Sequence, residues 1–76
     1  MIGIDKYNWV WEKNGLSCFD GKIAIGAILV PLKGSWCTWV LLAGGKYDAD
    51  QNSGRVNGLA KAKWALIRRY EADKQS

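Results

Sequence analysis

The stretch that decides the fold consists of two apolar runs joined by a turn: Ile23-Ala24-Ile25-Gly26-Ala27-Ile28-Leu29-Val30, then Pro31-Leu32-Lys33-Gly34-Ser35, then Trp36-Cys37-Thr38-Trp39-Val40-Leu41-Leu42-Ala43. Each run is too short to span a membrane, so no membrane segment is predicted. Each carries β-branched or aromatic residues and is bounded by Gly or Pro, which favours a strand over a helix. We therefore predict an antiparallel hairpin.

Neither run alternates between apolar and polar residues. Successive side chains of a strand point to opposite faces of the sheet. The predicted faces are Ile23, Ile25, Ala27 and Leu29 against Ala24, Ile28 and Val30 in the first run, and Trp36, Val40 and Leu42 against Cys37, Trp39 and Leu41 in the second. Both faces of this sheet therefore need cover.

Two further strands are predicted before the hairpin. The four predicted strands are Tyr7–Lys13, Leu16–Phe19, Lys22–Val30 and Trp36–Ala43. In the first, Tyr7, Trp9 and Trp11 share one face. The dipeptides Asn14-Gly15 and Asp20-Gly21 predict type I′ hairpin turns, because both positions of such a turn need positive φ angles.

The C-terminal part predicts a helix that follows a polar surface connection over residues 46–54. One face of this helix is marked by apolar spacing, with Lys63 at its rim: Leu59, Ala62, Lys63, Leu66, Ile67 and Tyr70. Ser53 or Asn57 is the predicted N-cap. Residues 72–76 are expected to fray.

The predicted fold class is α+β, a single domain over residues 1–76. It is a four-stranded antiparallel meander followed by one C-terminal helix on one sheet face, in the order ββββα. One helix covers only one face, so the other needs a second copy, a different partner or the N-terminal segment. A homodimer joined through the sheets is the favoured solution, because closed two-fold assemblies are the commonest.

Charge is concentrated in the C-terminal part. The net charge is +4. Residues 1–53 hold five bases and five acids, so the six bases and two acids of residues 54–76 account for the whole excess. The candidate binding residues, for a partner or for nucleic acid, are Arg55, Lys61, Trp64, Arg68 and Arg69. Such a stripe suits a phosphate backbone with Trp64 stacking on a base, but it also suits a solvated helix face.

The absence of His argues against an enzyme, since His is the usual general base and the commonest metal ligand. A carboxylate pair drawn from Glu12, Asp20 and Glu71 is the remaining catalytic alternative. The oxygen-rich stretch Asp48-Ala49-Asp50-Gln51-Asn52-Ser53-Gly54 resembles the opening of a calcium loop, but it has Ser53 where the loop needs Gly and Leu59 where it needs a bidentate Glu. Gly44-Gly45-Lys46 lacks the rest of a phosphate loop. No cofactor and no metal are predicted.

Cys18 and Cys37 lie in apolar strand contexts, which favours buried free thiols over a disulfide. The N-terminus lacks the pattern of a signal peptide. Reduced thiols without a signal peptide indicate a cytoplasmic protein. The disulfide stays the alternative.

One pattern extends over most of the chain: Trp9-x-Trp11, Gly21-Lys22-x-x-Ile25-Gly26, Trp36-x-x-Trp39-x-Leu41, Gly54-Arg55, and Ala60-x-Ala62-Lys63 in the helix. It resembles short uncharacterised proteins of bacteriophages and prophages. The resemblance implies a non-enzymatic accessory protein of the host cytoplasm that binds a host or defence protein, and it supplies no catalytic residues. The alternative function is a nucleic-acid-binding module that uses the basic helix.

Overall fold

A computed structural model describes residues 4–13, 15–42 and 53–75. The elements are a 3-10 turn Ile4–Lys6, strands β1 Asn8–Glu12, β2 Gly15–Asp20, β3 Ile23–Leu29, β4 Trp36–Leu41 and β5 Ser53–Asn57, and helix α1 Leu59–Gln75. The strands form one sheet in sequential order, and each neighbouring pair is antiparallel. The α+β class and the C-terminal helix on the sheet are confirmed. Ala43, the predicted end of the fourth strand, lies outside the described residues.

The sheet has five strands, one more than predicted, because Ser53–Asn57 pairs with β4. Ser, Gly and Asn have low strand propensity, so this segment was predicted to be connection and cap. Its pairing is decided by the neighbouring strand. The indole of Trp39 lies directly over Gly54, where a side chain would collide with the ring, and Val56 packs against the core.

Helix α1 begins differently from the prediction, because Ser53 and Asn57 both belong to β5. The N-cap position is occupied by Gly58, whose carbonyl oxygen accepts the Ala62 N–H at 3.1 Å. Gly58 has φ 111°, a left-handed conformation that turns the chain from strand into helix without a side-chain clash.

The helix extends through Gln75 and so includes residues 72–75, for which fraying is predicted. Ser76 lies outside the described residues. The last turns continue because Glu71 is anchored to the N-terminal part of the chain. Its carboxylate accepts a hydrogen bond from Tyr7 and lies 3.5 Å from the Lys6 ammonium. Three of the four helical residues that follow, Ala72, Lys74 and Gln75, are good helix formers.

The turn between β2 and β3 is a two-residue loop, Gly21-Lys22, because Asp20 already pairs with Ile23. Gly21 has φ 63°, whereas no described non-glycine residue has a positive φ. A positive φ at the first loop position alone defines a type II′ turn, so the predicted type I′ turn is corrected. Asn14, of the other predicted turn, lies outside the described residues.

A β-bulge in β3 changes the predicted faces of that strand. Cys18 pairs with Gly26 while Phe19 pairs with Ala24, so Ile25 is the extra residue. Ile25 is consequently buried beside Ile28 instead of sharing a face with Ala27 and Leu29. Sequence alternation does not reveal such an inserted residue.

The core lies between α1 and one face of the sheet, here called the helix face. Its buried residues are Tyr7, Leu16, Cys18, Ile25, Ile28, Cys37, Leu41, Ala62, Leu66, Ile67 and Tyr70. Gly26 allows close approach, because a Cβ there would lie 3.0 Å from the Leu66 Cδ1 and collide with the Val40 carbonyl. The predicted inner face of the helix is confirmed, as are the predicted faces of β1 and β4.

Candidate interaction surfaces

The opposite face of the sheet, here called the outer face, carries no described element. Val10, Leu29 and Trp36 are 45%, 49% and 53% exposed on it. The N-terminal 3-10 turn packs against α1, on the helix face. The outer face therefore leaves an apolar surface open, of the kind that marks interaction sites.

Charged residues lie at the two edges of this outer face. The strand registers align one row of neighbours across all five strands: Glu12, Gly15, Leu29, Thr38 and Arg55. Paired residues share a face, so Glu12 and Arg55 stand at opposite edges of the same row, about 19 Å apart at four strand spacings. The adjacent row is free of charge: Val10, Ser17, Ala27, Val40 and Ser53.

A shallow hollow of about 330 Å³ lies beside Glu12. Its lining includes the small residues Gly15, Ser17 and Ala27, together with Lys13 and Leu29. Small side chains on β2 thus leave a depression opposite the projecting Trp36 on β4. The outer face therefore has both an exposed aromatic side chain, Trp36, and a depression.

At the C-terminal end of α1, two buried tyrosines bind two carboxylates. The Tyr7 hydroxyl donates to Glu71, and the Tyr70 hydroxyl donates to the Asp20 Oδ2 at 3.0 Å. The two rings meet edge to face with centroids 6.0 Å apart. Burial, with the neighbouring carboxylates, raises the pKa of both phenols.

This cluster, here called the tyrosine latch, ties α1 to the first residues of the chain and to the end of β2. Asp20 and Glu71 belong to the carboxylates considered for catalysis, whereas Glu12 lies on the outer face. Both tyrosine rings are more than nine-tenths buried. The arrangement holds the helix in place through charge-assisted hydrogen bonds.

Cys18 and Cys37 are free and buried. Cys18 lies on β2 and Cys37 on β4, two strands away. Cys18 is aligned through Gly26 with Leu41 of β4, and Leu41 is four residues from Cys37. The two thiols are therefore too far apart for a disulfide. Burial, together with Asp20, raises the pKa of the Cys18 thiol to about 12. Within the described ranges no three His, Cys, Asp or Glu side chains cluster as metal ligands. Residues 44–46 and 48–52, compared above with a phosphate loop and a calcium loop, lie outside those ranges, and Ser53 and Gly54 belong to β5.

Three of the five predicted binding residues come together on the outward side of α1. Lys61, Trp64 and Arg68 are exposed there, and the Trp64 side chain is 37% exposed. Arg69 is half-buried on the helix flank. Arg55 lies on β5 and faces away from the helix, because it pairs with Thr38 in the outer row. The structure thus separates Arg55 from the helix stripe.

Sequence reasoning missed the exposure of Trp11. This residue pairs with buried Leu16 and so points to the helix face, as its alternation predicted. Yet it is 64% exposed, because α1 packs against β3, β4 and β5 and leaves β1 at the side. Next to it, the Lys63 ammonium lies 5.3 Å from the centroid of the Trp9 ring. Only the position of the helix reveals this surface.

No protein-family model, no curated protein and no solved structure matches this chain. The resemblance to bacteriophage accessory proteins therefore stays a prediction. In the described part of the chain, α1 fails the length and hydropathy requirements for crossing a membrane.

Proposed function

We propose that this protein is a non-enzymatic binding protein whose outer sheet face is a protein interface, with a second copy of the chain as its first occupant. The observation that carries this proposal is the row that ends in Glu12 on one edge and Arg55 on the other, with the uncharged residues Gly15, Leu29 and Thr38 between. Such a surface complements itself. A cytoplasmic location is part of the proposal, supported by the two free thiols.

Glu12 and Arg55 of two copies meet when the copies are related by a two-fold axis. This axis runs parallel to the strands, in the plane midway between the two facing sheets. This operation places β1 of one copy over β5 of the other, and β2 over β4. Glu12 then faces the partner's Arg55, and the reciprocal pair forms at the opposite edge. An axis perpendicular to the strands would place β1 over β1 and bring like charges together.

The same operation brings the Trp36 side chain to the edge of the partner's hollow. Trp36 lies on β4, two residues beyond the row of Glu12 and Gly15, and the hollow lies over β2. Because β4 of one copy lies over β2 of the other and the axis keeps the level along the strands, each Trp36 meets the Lys13 end of the partner's hollow. Aromatic anchors in pockets are the usual energetic centres of protein interfaces.

The size of the face suits a small interface. Five strands span about 24 Å, and five residues of strand span about 17 Å. Pairing two such faces buries on the order of 1,000 Å² in total, the lower size of specific interfaces. We therefore expect a dimer that dissociates at low concentration.

Charge reversal tests the proposal. Light scattering across a concentration series should give a dimer for the native chain, and monomers for Glu12→Arg and for Arg55→Glu, because each places like charges together. The double reversal Glu12→Arg with Arg55→Glu should restore the dimer. Lys33→Glu, in the exposed turn between β3 and β4, serves as the matched control and should leave the mass unchanged.

Two outcomes would contradict this proposal. A native chain that stays monomeric at every concentration leaves the outer face to a different protein, such as the host or defence protein that the phage resemblance implies. A double reversal that stays monomeric rejects the axis parallel to the strands.

A further inference from the structure

The helix side of the molecule carries a second surface, separate from the outer face. Helix α1 is antiparallel to β1, because Glu71 contacts Tyr7 before the strand and Lys63 contacts Trp9 within it. Trp64 lies two turns before Glu71 and so shares its flank of the helix, toward β1. The exposed indoles of Trp64 and Trp11 therefore lie on the same side of the molecule.

Cations surround these two indoles. Lys61 and Arg68 flank Trp64 at spacings of three and four residues, which makes them its neighbours on the helix surface. The two charges lie about 10 Å apart along the helix axis. We call this set, with Lys63, the aromatic–basic surface: Trp11, Lys61, Lys63, Trp64 and Arg68.

Of the acidic side chains that the structure describes, Glu12 and Asp20 point away from this surface, whereas Glu71 lies on the same flank of α1 as Trp64 but is already paired. Glu12 faces the outer side of the sheet, and Asp20 accepts the Tyr70 hydroxyl. Glu71 is held by Tyr7 and Lys6. The aromatic–basic surface therefore keeps its positive potential and attracts a polyanion.

We propose that the aromatic–basic surface binds single-stranded nucleic acid. Indoles accept unpaired bases by stacking, and cations between them neutralise the phosphates, a combination typical of single-strand binding. A membrane surface fits less well, because interfacial helices need a continuous apolar face, and the apolar face of α1 is buried in the core. In the proposed dimer the two copies of this surface face away from each other, so the two proposals are independent.

The probe is a fluorescein-labelled oligothymidine of about twelve nucleotides, a length within the usual range for one small domain, followed by fluorescence anisotropy at several salt concentrations. We expect log affinity to fall linearly with log salt. The double variant Lys61→Ala with Arg68→Ala should make that slope shallower by about 1.4, since each neutralised phosphate contributes roughly 0.7 for a single strand.

The matched charge control is Lys22→Ala with Lys33→Ala, which removes the same charge from two exposed turns. It should leave the slope unchanged. Trp11→Ala and Trp64→Ala should each weaken binding at least about fivefold, whereas Trp64→Phe, which keeps an aromatic ring, should stay within about threefold of the native chain. Thermal melts of each variant confirm that the fold is kept.

Several results would overturn this inference. One is that the oligothymidine does not bind at low salt. Another is that the charge control reduces the salt slope as much as Lys61→Ala with Arg68→Ala does. A third is that a duplex of the same length competes for the protein as well as the single strand does. Binding to vesicles with anionic lipid but not to the oligothymidine would assign the surface to a membrane instead. The mass measured in the dimer experiment does not enter these readouts, so either proposal can fail alone.

Discussion

Both faces of the sheet carry large apolar residues, but these residues are buried on one face and exposed on the other. On the helix face, Leu16, Ile28 and Leu41 are fully buried, while Leu29, the next residue after Ile28, is half exposed on the outer face. The difference comes from the position of α1, which has one apolar side and covers one face. Apolar composition alone therefore does not distinguish a core from an interface.

The largest expected effect compares these neighbours in β3. Ile28→Ala should lower the free energy of unfolding by about 3 kcal/mol, because it opens a cavity in the core. Leu29→Ala should lower it by less than about 1 kcal/mol, because half of its side chain is already in water. Urea unfolding at low protein concentration measures both. Equal losses would mean that the outer face is covered within one chain.

The close approach of helix and sheet at Gly26 gives the second prediction. Gly26→Ala should destabilise the protein by about 2 kcal/mol, because the new Cβ meets the Val40 backbone, which cannot move freely. Gly54→Ala is the matched control. There the obstacle is the Trp39 side chain, which can shift, so a loss nearer about 1 kcal/mol is expected. The reverse order would contradict the close approach of the Val40 backbone to Gly26.

The tyrosine latch gives a third, smaller effect on the helix face. Tyr7→Phe removes the hydroxyl that donates to Glu71, and it should cost about 1.5 kcal/mol, the usual value for a hydrogen bond to a charged group. Amide hydrogen exchange should show faster opening of the last turns of α1. Thr38→Val, a matched loss of one hydroxyl on the outer face, should leave that exchange unchanged.

The smallest effect is the pH dependence that Cys18 confers on the helix face. Burial raises the pKa of this thiol from an ordinary 9.0 to about 12 in the folded chain, so the unfolded chain loses the proton first as the pH rises. The stabilisation is complete below about pH 9 and declines from there toward pH 12, with a loss of about 0.8 kcal/mol at pH 9.5. Urea midpoints at pH 7.5 and 9.5 measure it. In Cys18→Ala the difference between the urea midpoints at the two pH values should shrink. An unchanged difference would mean that another group causes the pH dependence.

Local patterns predicted much of the helix face. The spacing from Leu59 to Tyr70 predicted the buried side of α1, because side chains return to the same face of a helix every 3.6 residues. Alternation predicted the inward direction of Cys37 and Leu41, because β4 is regular. The bulge at Ile25 and the pairing of Ser53–Asn57 escaped prediction, because both depend on a neighbouring strand.

The candidate surfaces divide in the same way. Helical spacing placed Lys61, Trp64 and Arg68 in one stripe from sequence alone. Arg55 was grouped with them because it is near in the chain, but its strand turns it to the outer face. The exposure of Trp11 depends on which strands α1 covers, which no local pattern contains.

By itself, the sequence determined the fold class, the inner side of the helix and the existence of a second apolar sheet face. These follow from periodicity, which depends on the geometry of one element. Tertiary structure alone decided that the outer face carries complementary charges at its two edges and that the helix leaves Trp11 open. Both facts depend on register and on the docking of α1, which arise from contacts between residues far apart in the chain.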